Sequence, residues 1–303
     1  MLKRSRGEKI FNVFNVTFFT IFAMMLLVPV LYVLKQSLDI ERIGELSLSL
    51  FPRKFSLVFY QMIINDRAIY RTFLNSAYIT VVGTALSVFL NAMGAYALAR
   101  RDLPGNRFFI YYLVILPMLF SGGLIPTYLV VKSLGLIDKL AALIIPALVS
   151  GWNMALIRNY YWSIPPSLSE SARIDGAEEF TVFFRIILPL SKPVIAAIAL
   201  FTGVGFWNTF FSAVIYINSP QKYTFPVKLR ELILVQYDMQ RQFTEALQLR
   251  QMQGSGDDLL LASLTQEGLS GAIIVVSMLP IIIVYPYLQK YFTKGIMVGS
   301  LKG

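Results

Sequence analysis

Ser167-Leu168-Ser169-Glu170-Ser171-Ala172-Arg173-Ile174-Asp175-Gly176, continued by Ala177-Glu178-Glu179-Phe180-Thr181-Val182-Phe183-Phe184-Arg185-Ile186-Ile187-Leu188-Pro189, is the stretch on which the reading of the chain turns. Ser167 and Glu170 have the spacing of a capping box, in which a hydroxyl and a carboxylate each satisfy a free backbone N–H at a helix start. Gly176 can adopt backbone conformations closed to other residues, so it ends that helix and turns the chain. Phe180, Phe183, Phe184 and Ile187 recur at helical spacing and form the apolar face of a second short helix. Pro189 and Pro193 stop it. The stretch reads as a helix-turn-helix elbow with a carboxylate at the head of its first helix.

On either side of the elbow the chain turns apolar. Charge-free runs long enough to cross a bilayer, which takes about 20 helical residues, occur at 13–34, 73–99, 108–131, 140–157, 193–217 and 269–288. The predicted fold is therefore all-α and polytopic, a single transmembrane domain of six helices over residues 1–303. The first run is too long for the apolar part of a cleavable signal peptide and is expected to stay as a helix. A hydrophobic share of 56% and a mean hydropathy of +0.63 agree with lipid as the solvent. The chain has no Cys and no His, which excludes disulfides, Cys/His zinc sites, thiol nucleophiles and imidazole catalysis. No catalytic, cofactor or metal residue is assigned.

The net charge of +10 reads as topology rather than nucleic-acid binding, because the basic residues flank apolar runs. The N-terminal tail, the 100–107 connection and the C-terminal tail hold ten Lys and Arg against two acids, Glu8 and Asp102. By the positive-inside rule they are cytoplasmic, as are both termini. Segments 35–72, 132–139 and 218–268 then face outward, with 13 basic and 11 acidic residues. The elbow lies in the cytoplasmic connection 158–192, long for a bundle hairpin, and such length signals function. The outer loop 218–268 shows amphipathic periodicity over 229–252, then a Gly254-Ser255-Gly256-Asp257 turn, and reads as a cap over the outer mouth.

Polar residues within the runs are the candidates for a substrate path. Ser76, Thr80, Thr84, Ser87 and Asn91 fall on one helix face and either line a wet path or join helices. Trp152-Asn153 and Trp207-Asn208 pair an aromatic face with an amide, a combination suited to a sugar ring and its hydroxyls; the alternative for a Trp is an interfacial anchor, which fits Trp162. Pro126, after Gly122 and Gly123, should break or bend the third helix. No Asp, Glu, Lys or Arg lies inside a run, which argues against proton coupling and intramembrane aspartyl chemistry.

The spacing of Glu170, Ala172, Gly176, Ile186, Leu188 and Pro189 resembles the EAA loop of ABC-importer permeases. Asp175-Gly176-Ala177 matches the sugar-transporter version; Ser171 departs from the alanine of the loop's name but stays small. Asn75-Ser76, Gly94 to Arg100, Pro126-Thr127-Tyr128, Leu134-Gly135-Leu136, Ile164-Pro165 and Trp207-Asn208 resemble the carbohydrate uptake transporter-1 family. The ending Lys294 to Gly303 is similar to permeases for oligosaccharides from pectin- and alginate-type polysaccharides. The resemblance implies a bacterial inner-membrane permease subunit, with its elbow docked in an ATPase cleft and Glu170 paired with an ATPase arginine. It also implies a second homologous permease, two ATP-binding subunits that carry ATP and Mg, an extracytoplasmic solute-binding protein and an oligosaccharide substrate. The chain itself has no phosphate-binding Gly-x-x-x-x-Gly-Lys-Ser/Thr loop.

The sequence leaves two other readings open. A membrane-embedded enzyme acting on lipid-linked sugars would need clustered acids, and Asp175, Glu178 and Glu179 are the only such cluster. An importer of the same build for a non-sugar solute is separated only by the resemblance of Asp175-Gly176-Ala177 and Trp207-Asn208.

Overall fold

The structure is a computed structural model that describes residues 6–39, 51–52, 54–100, 102–234 and 267–287. In chain order the helices are α1 (Arg6–Leu38), α2 (Val58–Asn65), α3 (Arg67–Ala99), α4 (Asn106–Leu119), α5 (Leu124–Ser133), α6 (Ala141–Ala147), α7 (Gly151–Trp162), α8 (Pro166–Ile174), α9 (Glu179–Leu190), α10 (Lys192–Trp207), α11 (Phe211–Tyr216), α12 (225–234) and α13 (Glu267–Tyr287). The described residues contain no strand beyond one isolated bridge, Asp39 to Phe55. The all-α class expected from the sequence holds. The expected turn at 254–257, the ending 294–303 and most of the periodic stretch 229–252 lie outside the described residues.

All six apolar runs are helical, but not all are single helices. α1, α3 and α13 are each long and apolar enough to cross a membrane; α6 with α7, bent by 49°, and α9 with α10, bent by 80°, pass the same test as pairs. The run 108–131, expected as one span, forms the shorter helices α4 and α5. The break falls at residues 120–123 rather than at Pro126, which sits in the first turn of α5, where a missing N–H costs nothing. The run 193–217 is interrupted between α10 and α11.

Two of these helices contain a π turn, at Tyr111–Ile115 in α4 and at Phe183–Ile187 in α9, and each is followed by Leu-Pro, at 116–117 and 188–189. A proline inside a helix lacks an N–H, and its ring collides with the carbonyl four residues back. A locally widened turn relieves the collision. Pro189 therefore does not stop α9, contrary to the expectation from the sequence. The helix continues to Leu190, and the chain turns at Ser191, whose N–H reaches the carbonyls of Ile187 and Leu188 at 3.0 and 3.2 Å.

The described residues gather into two compact units. The first draws on residues up to Arg67 and on Leu229–Met278. Within it, the hydroxyls of Ser37 and Tyr60 are 2.7 Å apart and Gln36 donates to Glu267 at 3.2 Å. α1 buries none of its apolar window, an arrangement that lipid tolerates and water does not.

The second unit draws on Ala68–Lys228 and on the segment from Leu279. Its axis is α3, which runs about 50 Å at 1.5 Å per residue. Near one end Ile79 joins Leu143, Phe206 and Tyr216 in an apolar core; near the other Ala95 joins Ile157, Val182, Ile187 and Ile198. The Phe206 ring lies directly on α3, and a Cβ at Gly83 would come within 2.8 Å of it. Between the two cores α3 holds the break between α6 and α7. Ser87 donates to the carbonyl of Leu148 at 2.7 Å; Asn91 donates to the same carbonyl at 2.8 Å and accepts from the N–H of Ser150 at 2.9 Å.

Asn91 is fully buried and serves backbone groups that no helix satisfies. Asn91→Ala leaves at least one of them bare, at a cost of roughly 1–3 kcal/mol. Thr80→Val removes a buried hydroxyl that has no partner in the described structure. Thermal unfolding in detergent is expected to show a lower Tm for Asn91→Ala and an equal or higher one for Thr80→Val.

Candidate functional site

Four elements build the elbow: the last turn of α3, the end of α7, and the helices α8 and α9. The end of α3 leaves carbonyls without intrahelical donors. Arg158 Nε donates to Leu98 O at 2.9 Å, Trp162 Nε1 to Ala99 O at 2.9 Å, and Asn106 Nδ2 to Leu98 O at 3.3 Å and to Arg100 O. The Arg158 guanidinium also stacks over the Trp162 ring, 3.7 Å from its centroid. Trp162, which the sequence offers as an interfacial anchor, thus ties α7 to α3.

α8 starts at Pro166, the position where proline's fixed φ and missing N–H suit a helix best. The capping box is not formed. Ser167 lies inside the helix, no side chain caps it, and Glu170 sits at mid-helix rather than at its head. The C-terminus is as the sequence predicts. Gly176 has φ +84°, its N–H bonds to Arg173 O at 3.0 Å, and the N–H of Ala177 bonds to Ala172 O at 2.9 Å. This is a Schellman closure, which needs a residue at ease with positive φ.

α8 buries no residue, whereas α9 buries Val182, Phe183 and Ile187. Of the four apolar residues expected on one face of α9, Phe183 and Ile187 point inward, while Phe180 and Phe184 are exposed; Phe184 stacks on Phe89 of α3 at 6.3 Å. Small residues let α8 approach its neighbours. Ala172 and Ala177, with Ile186, pack partly buried against the Ile157–Val182–Ile198 core.

The polar centre of the elbow is Glu179. One carboxylate oxygen receives Arg173 Nε and Arg100 Nη1, each at 2.9 Å, and the other receives the Tyr96 hydroxyl at 2.6 Å. Arg100 also pairs with Asp102. Burial pushes the Glu179 carboxyl up, but hydrogen bonds from Tyr96 and Arg173, with the charges of Arg173 and Arg100, outweigh it and hold the group below its usual range. The hydrogen bond from Arg100 takes Asp102 down to about 2. A half-exposed ion pair alone is worth roughly 0.2–1 kcal/mol. Glu179 gathers three donors, from α8, from α3 and from the residue that follows α3, so its contribution lies in geometry more than in any single pair.

Beside this network a cleft of about 500 Å³ is lined by Trp162, Pro166, Ser169, Glu170 and Arg173. Glu170 is exposed and has no hydrogen-bond or ion-pair partner among the described residues. Asp175 and Glu178 are exposed too, whereas Glu179, the third acid of the cluster offered by the sequence, is drawn into the network. No three His, Cys, Asp or Glu gather within reach of one ion among the described residues.

The profile of binding-protein-dependent transport system inner membrane components matches residues 105–298. The chain belongs to this family. The permease is 40% identical to the polygalacturonan/rhamnogalacturonan transport system permease protein YtcP of Bacillus subtilis over 98% of this chain and 99% of that one. It is 41% identical to protein LplC of the same organism over 100% of this chain and 98% of that one. A solved chain of a bacterial ABC transporter involved in the import of the acidic polysaccharide alginate superposes with a TM-score of 0.81, at 30% identity, over 96% of the permease and 100% of that chain.

The predicted coupling residues of the permease fall into two groups: Ala172, Ala177 and Ile186 pack inward, while Glu170, Asp175, Gly176 and Pro189 are exposed. Leu188 and Pro189 border an apolar groove of about 370 Å³ along α3 and α10. The candidate path residues are not one patch. Ser76 Oγ accepts from Phe225 N at 2.8 Å and Asn91 serves the α6–α7 break, so both join helices. The Thr80 and Thr84 hydroxyls have no partner among the described residues; Thr80 faces a cavity of about 90 Å³ beside Trp207. Trp207 is buried against Phe73 and Phe225, Asn208 is exposed at the end of α10, and Trp152 is 60% exposed. Asn153 bridges helices by a side chain–side chain bond, with Nδ2 3.3 Å from Thr202 Oγ1.

Glu179 was missed by the sequence reading as a site residue, as were Tyr96, Arg100 and Arg173. A signal for one link was present: Arg173 and Glu179 stand three residues before and after Gly176. A carboxylate whose folded pKa is depressed adds stability above its unfolded pKa, near 4.3, and loses it as pH falls through the folded value. Hydrogen exchange of α8 amides is therefore expected to stay flat from about pH 8 to 5, after correction for intrinsic rates, and to rise below about pH 4. Glu179→Gln should abolish that acid step.

Proposed function

We propose that the permease moves oligosaccharides across the bacterial inner membrane, with the elbow as the part that receives movement from ATP-hydrolysing partner subunits. The observation that carries the reading is Glu170: an exposed carboxylate, without a partner among the described residues, on a helix that buries nothing and beside an open cleft. A carboxylate so presented is ready to take an arginine of a second protein. Supporting the substrate class are two relatives, one a polygalacturonan/rhamnogalacturonan transport permease and the other a chain of a transporter involved in alginate import. The partners are a second permease, two ATPase subunits that bind ATP and Mg, and a solute-binding protein on the outer face. Both termini and the elbow lie on the cytoplasmic side by the Lys and Arg distribution.

In this reading α8 and α9 are a lever and the broken helices are the moving parts of half a pathway. The helix ends at 148–150 and 208–210 present backbone groups within the apolar region, and such groups are tolerated where they line a cavity or meet protein. Asn153 with Thr202, and the free hydroxyls of Thr80 and Thr84, are the polar groups offered to a sugar. Glu170→Lys is expected to leave the permease in the membrane and to abolish co-purification of the ATPase subunits, because a like charge then faces the partner's arginine. Retained co-purification contradicts the reading. For the substrate class, cells lacking the permease should lose uptake of tritiated galacturonate or alginate trisaccharides; unchanged uptake of both, and of neutral trisaccharides, contradicts it.

A further inference from the structure

α8 is a lever arm with no buried residue, so little apolar packing limits its tilt; what joins it to the body, besides Ala172 and the Gly176 turn, is the Arg173–Glu179 pair. Glu179 opens α9, which is packed, and holds Tyr96 of α3 and Arg100, the residue that follows α3, at 2.6 and 2.9 Å. α3 is unbroken from Arg67 to Ala99. Within three turns before Tyr96, it holds the α6–α7 break through Asn91 and Ser87. A displacement of α8 that reaches Glu179 is thus passed to a rigid helix whose polar groups grip an interrupted one. Without the pin it would be taken up at the Gly176 turn, where a Cβ would meet nothing within 4 Å.

We propose that Glu179 is a positioning residue that transmits movement of α8 to α3, by holding Arg173 on one side and Tyr96 with Arg100 on the other. The proposal rests on the reading of the elbow as the ATPase-docking element and adds the route by which the displacement leaves it.

The chain has no cysteine, so a spin-label pair can be placed cleanly at Ile174→Cys on α8 and Tyr78→Cys on α3, both exposed. The complex is purified with its ATPase partners, and the label distance is measured by pulsed electron resonance with and without a non-hydrolysable ATP analogue. With Glu179 intact, one distance is expected in both states. Glu179→Gln and Arg173→Gln should each add a nucleotide-dependent shift while the ATPase still co-purifies, and Arg173→Lys, which keeps the charge, should remove it. A role confined to fold stability would lower the Tm without a nucleotide-dependent shift. A distance that shifts in the intact complex, or stays fixed in both Gln variants, overturns the proposal. Loss of the ATPase from the intact complex overturns the docking reading instead and is seen separately, at purification.

Discussion

An interrupted helix in an apolar environment needs partners for the backbone groups it exposes, and that requirement organises the second unit. Between α6 and α7 the carbonyl of Leu148 and the N–H of Ser150 are taken by Ser87 and Asn91 of α3. At the head of α12 the N–H of Phe225 is taken by Ser76. At the end of α3 itself, Arg158, Trp162 and Asn106 take the last carbonyls. The polar stripe on α3 is thus largely a row of anchors for broken neighbours. Remove the anchors and the breaks become costly; remove the breaks and the polar residues have no reason to lie in an apolar helix.

The elbow uses a different economy. Its second helix is held by apolar burial and tolerates Pro189 through a widened turn, while its first helix is held by a small alanine, a left-handed glycine and one ion pair. That difference suits a device in which one arm must stay fixed in the body and the other must meet a partner. Near the start of α3 the same unit is secured differently. Asp138 accepts from the backbone of Asn218 and Ser219 and from Lys222, and these bonds, led by that of Lys222, hold its carboxyl well below the usual range. There the connection after α5 is fixed to the chain leaving α11.

Much of this was legible in the sequence because hydropathy and turn chemistry act locally. The six apolar runs, the all-α class and the Gly176 turn follow from residues close together in the chain, and a break in the third run was expected, though at Pro126 rather than at 120–123. The remainder depends on competing local signals or on residues far apart. Ser167 and Glu170 have capping-box spacing, yet Pro165-Pro166 starts the helix earlier and leaves Ser167 inside it. Pro189 has the look of a stop, yet the π turn before it lets the helix continue. Tyr96 and Glu179 are 83 residues apart, so no spacing rule could join them. The paired look of Trp207 with Asn208 also misled, since neighbours on a helix point about 100° apart and one is buried while the other is exposed.

The central claim is that α8 is the surface on which an ATP-hydrolysing partner acts. Since the chain is free of cysteine, a photoactivatable cross-linker attached at Ile174→Cys, which is 86% exposed, reports its neighbour without background. In membranes from cells expressing the whole transport system, illumination is expected to join the permease to an ATPase subunit. Glu170→Lys in the same chain should abolish that product. Cross-linking to lipid or solvent alone, or to the ATPase equally well with Glu170→Lys, would contradict the account.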